Sequence, residues 1–368
     1  MRNVSSRQPW SRQPWSRQPW PRQPWPRRRA GRRRPGRVLA GALAVVLVVG
    51  ALSACSSSGS DRLTIYSGRT QELIEPLLQR FSDDTGTGID VRYGNSPDLA
   101  LLIDEEGDQS PADVFLSQSP GSTGYLDAQD RLQKLPKDLL DLVPARFRAK
   151  DGDWVGISGR VRVLVYNPDL VSEDELPQSI FDVTKEQYRD QLGVAPPNAS
   201  FQDFVTAMRE LEGATKTKEW LEGLVANGAR TYENNIAIVE AVGRGEIKYG
   251  LVNDYYLYEL QAQDPELAAK NYYFPNGDLG SLILTTTVGV LDTASDTGTA
   301  EEFIRYLLSP KAQKFYAEQS FEYPLADGVP PDAGKPPLAE IESPIIDLAS
   351  LGDGLVKTRQ LIADSGLG

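Results

Sequence analysis

Lys248-Tyr-Gly-Leu-Val-Asn-Asp-Tyr-Tyr-Leu-Tyr258 reads as a strand that feeds a helix. The apolar run Tyr249 to Val252 has the length and character of a short strand. Asn253 and Asp254 are residue types that start helices, and Tyr255 and Tyr256 then fall in the first turn. Strand ends that open into helix starts are where open α/β sheets hold ligands. Two adjacent phenols at such an edge can reach into a cleft together. Phenolate is a hard oxygen donor and suits a hard, highly charged cation such as Fe3+. The same pair is compatible with two amphipathic tyrosines packed at a helix start, their hydroxyls in water.

The composition narrows the chemistry. The 368 residues suffice for two domains. A single cysteine excludes an intramolecular disulfide. The chain has no histidine, which removes Ser-His-Asp and Cys-His catalysis and any imidazole metal site. A metal would have to be held by oxygen. Of the 39 basic residues, 12 are arginines in the first 54 positions, where no acid occurs; the remainder sets 27 basic residues against 51 acidic ones. Such an acidic body argues against nucleic-acid binding, which needs a basic face.

The head of the chain reads as an address. Residues 6–25 repeat Ser/Pro-Arg-Gln-Pro-Trp, and proline at every fifth position excludes helix and central strand. Residues 1–26 are therefore expected to be a disordered, low-complexity head. The interleaved Arg and Trp suit a tether to nucleic acid or a membrane surface, or simply an extended basic n-region. Residues 27–54 have the form of a signal peptide: arginines up to Arg37, then apolar Val38 to Ala51, too short for a comfortable span. Leu52-Ser-Ala-Cys55, followed by a Ser/Gly tether to residue 61, resembles a bacterial lipobox. That resemblance implies lipidation of Cys55.

The body alternates strands and helices. Leu63–Tyr66, Ile89–Tyr93 and Pro111–Leu116 read as strands, with a helix through Leu73, Ile74, Leu77, Leu78 and Phe81 and another over 97–106. This βαβαβ order implies a parallel sheet. Gln118 and Ser119 stand at the end of the third strand, where cleft residues occur. Trp154–Tyr166 reads as a long strand that puts Arg160 and Arg162 on one face, where they need an anion or an acidic partner. Asn198 can cap a helix Phe201–Leu211 whose first N–H groups form an anion site. Asn234 and Asn235 open the next helix, Asn235 acting as a cap or as a cleft group. Leu282–Leu291 reads as a second crossing strand, and Ala300–Glu318 as one amphipathic helix.

In this order the motifs resemble the ferric-ion-binding proteins of bacterial ABC importers. The resemblance covers nearly all of 62–368. It is carried by Ile65-Tyr-Ser-Gly-Arg69, Ser110-Pro-Ala-Asp-Val-Phe115, Ser158-Gly-Arg-Val-Arg162, Glu240-Ala-Val-Gly-Arg-Gly-Glu246 and Leu251-Val-Asn-Asp-Tyr-Tyr256. It implies an α/β, two-lobed periplasmic-binding-protein fold with hinge-crossing strands. The N-terminal lobe would be 62–159 plus 288–335, and the C-terminal lobe 160–287 plus 336–368. The family's paired tyrosine ligands fall on Tyr255 and Tyr256. Its further protein ligands, a first-turn histidine, a glutamate and a third tyrosine, fall on Thr70, Gln118 and Ser200, so none is present. The positions around the family's synergistic anion match Arg160, Asn198, Ser200, Asn235 and Asn253, with Arg69 able to help.

What the resemblance implies is a monomeric, lipid-anchored, non-enzymatic binding protein outside the cytoplasm. It would carry Fe3+ with a carbonate-type anion to a membrane permease and its cytoplasmic ATPase. An oxyanion or organophosphonate binder on the same fold fits the arginines without iron. An extracytoplasmic enzyme or adhesion protein is the reading from another class.

Overall fold

The computed structural model describes residues 62–332 and 334–368. The repeat head, the segment expected to be a signal peptide, Cys55 and the expected tether to residue 61 lie outside the described residues. Among the described residues, no helix is long and apolar enough to cross a membrane.

The first layer follows the expected order. Strands β1 (Leu63–Ser67), β2 (Ile89–Tyr93) and β3 (Val114–Ser117) pair in parallel, β1 in the middle. Helices α1 (Gln71–Thr85) and α2 (Ser96–Glu106) make the crossovers, and α3 (Pro120–Ala128) follows β3. In α1 the residues Leu73, Ile74, Leu77, Leu78 and Phe81 are buried, as the helical period requires. Gly86 ends α1 in the left-handed conformation, φ 79°, which glycine adopts without a Cβ clash.

A one-turn helix α4 (Lys137–Leu140) precedes the longest strand, β4 (Val155–Tyr166), whose twelve residues are all buried. Two short strands, β5 (Leu192–Val194) and β6 (Arg230–Thr231), flank helices α5 (Ala199–Glu212) and α6 (Ala214–Ala226). Helix α7 (Asn235–Gly243), strand β7 (Tyr249–Asn253), helix α8 (Tyr255–Gln263) and strands β8 (Lys270–Tyr272) and β9 (Ile283–Val290) complete the middle of the chain. The sheet order is β2-β1-β3-β9-β4-β7-β5-β6. Strand β4 pairs with β9 through Val161, then with β7 from Arg162. It therefore passes from one half of the sheet to the other, and Arg160 and Arg162 sit at the passage. All of β9 pairs with β3 and β4, and the short β10 (Tyr323–Pro324) returns to β4. By this pairing the change of partner falls at Val161/Arg162, beside the expected lobe boundary at 159/160.

The expected single helix over 300–318 is two, α9 (Thr297–Leu307) and α10 (Pro310–Glu318). Pro310 lacks the N–H to continue a helix, and the Ser309 hydroxyl accepts from the Ala312 N–H to start a new one. The expected third strand over 111–116 begins only at Val114, since Pro111 and Ala112 lead into it. Helix α11 (Leu355–Asp364) closes the chain and packs mainly on α5.

Candidate metal centre

Strand β7 ends at Asn253, and Asp254 turns directly into α8. Asp254 is the residue before the helix, yet its side chain does not cap it. Its carboxylate instead accepts from the Val161 N–H on β4 (3.0 Å) and meets the Lys335 ammonium at 2.5 Å, both side chains fully buried. Lys335 also donates to the Phe321 carbonyl and lies 4.0 Å over the Tyr323 ring. The start of α8 is thus pinned to the crossing strand, and that fixes the next two residues.

Tyr255 and Tyr256 are buried, their ring centroids 4.1 Å apart and tilted by 33°. Both hydroxyls lie 3.1 Å from one atom, Nε2 of Gln118. The two phenol oxygens therefore converge on a single point. Gln118 follows β3, so the contact joins the first half of the sheet to the second. Burial, then the neighbouring Tyr256, pushes the Tyr255 phenol well above its ordinary value, against the pull of Arg69 and Arg160. Ionising it needs a cation close by.

Positive charge is stored behind the tyrosines. Arg160 is fully buried and donates to the Ser200 hydroxyl (3.1 Å), the Thr286 hydroxyl (3.1 Å) and the Gln118 carbonyl. Arg162 donates to Asn253 Oδ1 (2.9 Å), and its second terminal nitrogen is buried without a partner. Neither guanidinium has a carboxylate within ion-pair distance among the described residues. Burial, then repulsion from Arg160, pushes Arg162 down to about 9. Two buried cations without acids make this centre a place for negative charge. No group of three or more carboxylates or thiols is placed to hold a metal among the described residues.

The expected anion positions are brought to the same region with different partners. Asn198 caps α5, accepting from the Ser200 N–H at 3.0 Å. The Ser200 hydroxyl accepts from Arg160 and from Asn253 Nδ2 (3.3 Å). Asn234, not Asn235, caps α7. This leaves the Asn235 amide, 1 % exposed, with no partner at either its oxygen or its nitrogen. A buried amide of that kind calls for a polar partner, a water or a ligand atom. A cavity of about 370 Å3 is lined by Arg69, Thr70, Gln118, Asn198, Asn234 and Tyr256, which come from both halves of the sheet. A second cavity of about 380 Å3, beside α11 and Pro197, is lined by none of those six residues.

Two of the expected site residues already have charged partners in the fold. Arg69 is paired with Glu322 through two bonds of 2.8 and 2.6 Å and its NH1 also reaches Thr286, while its Nε is buried without a partner. Burial works to raise the Glu322 carboxyl, but Arg69 outweighs it and holds it below its usual range. The Ser119 hydroxyl is bonded to Asp203 on α5, which also accepts from the Gly121 N–H at 2.9 Å. Glu322, Thr286, Asp203 and Lys335 escape sequence reasoning. None carries a local motif that names its partner, which lies up to 253 positions away. Arg162 carried a signal, a charge inside an apolar strand.

The chain matches the family of bacterial extracellular solute-binding proteins over residues 109–347. It is 29% identical over 329 residues to the Fe(3+)-binding periplasmic protein of Serratia marcescens, covering 89% of this chain and 96% of that one. It is 29% identical over 324 residues to the major ferric iron-binding protein of Neisseria meningitidis, covering 87% and 97%. The crystal structure of iron-bound HitA from Pseudomonas aeruginosa superposes with a TM-score of 0.80 at 34% identity, covering 83% of this chain and 99% of that one. The two-lobed α/β fold is that of these periplasmic binding proteins, and the relatives are transport proteins rather than enzymes. This chain belongs to the bacterial extracellular solute-binding protein family.

Proposed function

We propose that this protein closes on Fe3+ through Tyr255 and Tyr256, with a carbonate-type anion completing the shell, and delivers it to an ABC permease driven by a cytoplasmic ATPase. The observation that carries this reading is the meeting of both phenol oxygens at one point, beside buried arginines that have no acid. Fe3+ with two phenolates keeps one positive charge. An oxyanion neutralises it and fills vacant positions, held by Arg160, Arg162, Ser200, Asn253, Asn235 and the α5 start at Asn198. The names of the relatives support ferric iron as cargo.

In this reading the protein is a monomer anchored by a lipid on Cys55 at the outer face of the plasma membrane. Loss of membrane retention in Cys55→Ser tests the anchor. Adding Fe3+ and bicarbonate to the purified protein should produce a visible phenolate-to-metal charge-transfer band. The Tyr255→Phe, Tyr256→Phe double variant should lose both the band and the tight binding; retention of either overturns the assignment. The unpartnered Asn235 amide and the unpaired arginines also favour a second reading, an oxyanion or organophosphonate binder. A colourless protein that takes up such an anion without iron would establish it.

A further inference from the structure

Tyr255 and Tyr256 take their direction from the helix they begin, and α8 begins in an unusual way. An aspartate before a helix ordinarily has an extended backbone and caps the first N–H groups with its carboxylate. Asp254 does neither: its backbone is already helical and its side chain makes no cap bond. One carboxylate oxygen accepts from the Val161 N–H, and the other meets only the Lys335 ammonium, at 2.5 Å. At about 100° per residue, Asp254 and Tyr258 share one face of α8, and the two phenols leave from the rest of it. Lys335 grips that shared face at both points, since its ammonium also lies 5.4 Å from the centroid of the Tyr258 ring.

The ammonium is itself fixed from the far side. It donates to the Phe321 carbonyl at 2.6 Å and lies 4.0 Å over the Tyr323 ring. Phe321 takes the left-handed conformation, φ 52°, which a residue with a Cβ keeps only where its surroundings hold it. Its ring stacks on Tyr258, centroids 6.4 Å apart, and the next residue, Glu322, goes to Arg69. Glu322 thus reaches the turn before α1 and Lys335 the turn before α8, both side chains fully buried.

We propose that Lys335 is a positioning residue for the tyrosine pair: by drawing the Asp254 carboxylate away from the helix start, it sets the roll of α8 and so the point at which the two phenol oxygens meet. It acts through Asp254 and Tyr258 rather than on the cargo. The proposal rests on the tyrosine reading for its effect on iron, though not for its effect on the pair. Without the ammonium, the side chain at 254 is free to swing onto the α8 N–H groups as an ordinary cap, and the helix turns with it. A binding constellation has to be held to about 0.5 Å and 10–20°, so a small roll is enough to part the two oxygens.

The test replaces both charges at once in the full chain, Lys335→Met with Asp254→Asn, so that no buried charge is stranded. Far-UV circular dichroism and a single thermal transition check that this variant is folded. Its near-UV circular dichroism, minus that of the same protein also carrying Tyr256→Phe and Tyr255→Phe, isolates the signal of the pair. That signal should differ from the one obtained in the same way from the wild type. On adding Fe3+ and bicarbonate, the charge-transfer band should move in wavelength. The affinity for Fe3+, read by competition with citrate, should fall roughly ten- to a hundredfold. Tyr258→Leu, which leaves the ion pair intact and loosens the second grip, should shift the pair signal and the band by less. A folded double variant with the wild-type pair signal, band and affinity overturns the proposal. Should the double variant not fold, a wild-type pair signal and band in Tyr258→Leu overturn it equally. A changed pair signal where no protein gives a band, the wild type included, keeps the positioning role and removes the iron reading instead.

Discussion

Glu322 holds Arg69 in a bidentate pair whose side chains are 0% and 1% exposed, inside a net of Ser158 and Thr286 hydroxyls. That pair sets the charge of the centre, because it leaves Arg160 and Arg162 as the unmatched cations. Replacing Glu322 by Gln would strand a third buried guanidinium. A buried pair broken on one side costs about 3–5 kcal/mol. Urea unfolding of Glu322→Gln should show a loss of that order, while Glu318→Gln on the exposed end of α10 should change stability by less than about 0.5 kcal/mol. Equal midpoints for the two variants would mean that the pair is not integral to the fold.

Among the elements, α5 has the most consequence for the site. Its first turn presents the Ser200 hydroxyl to Arg160 and Asn253, and Asn198 fixes where that turn begins. Truncating the cap in Asn198→Ala should cost about 1 kcal/mol in chemical unfolding. It should also weaken anion uptake in a calorimetric titration with bicarbonate, since the freed N–H groups lose their aim. Unchanged anion affinity would remove α5 from the site. Helix α8 is fixed differently, since Asp254 makes no cap and is gripped by β4 and Lys335.

For the whole molecule, the buried acid between α3 and α5 makes stability depend on pH. Burial raises Asp203 from 3.8 to about 6, partly opposed by Ser119, Gly121 and Arg160. A folded value above the unfolded one means that the folded state holds its proton more tightly. The contribution is fully present below the unfolded value and is lost as pH rises through about 6. Between pH 5 and 7.5 the loss is on the order of 1 kcal/mol. Asp127, pushed up to about 7 chiefly by burial and then by Asp153, adds in the same direction. Thermal unfolding at the two pH values should show the more acidic sample as the more stable, with a smaller difference in Asp203→Asn. A variant whose pH dependence matches that of the wild type would assign the effect to other groups.

The α/β order, the crossing strand with its two arginines and the strand-to-helix turn before Tyr255 were all legible in residues 62–368. Each is written locally, as a run of apolar residues, a charge inside such a run, or a cap beside a helix start. The break at Pro310 was legible too, though overridden by the apolar period on both sides of it. What only the tertiary structure decided was the partner of each polar group. Gln118 reaches two phenols 137 and 138 positions away, and Arg69 pairs with Glu322, 253 positions away. Local preference acts over a few residues, whereas a buried polar group is satisfied by whatever the folded chain brings within about 3 Å. The sequence therefore determined which elements form and which residue types line the gap. The folded chain determined which charges remain unpaired there, and those unpaired charges are what a ligand has to answer.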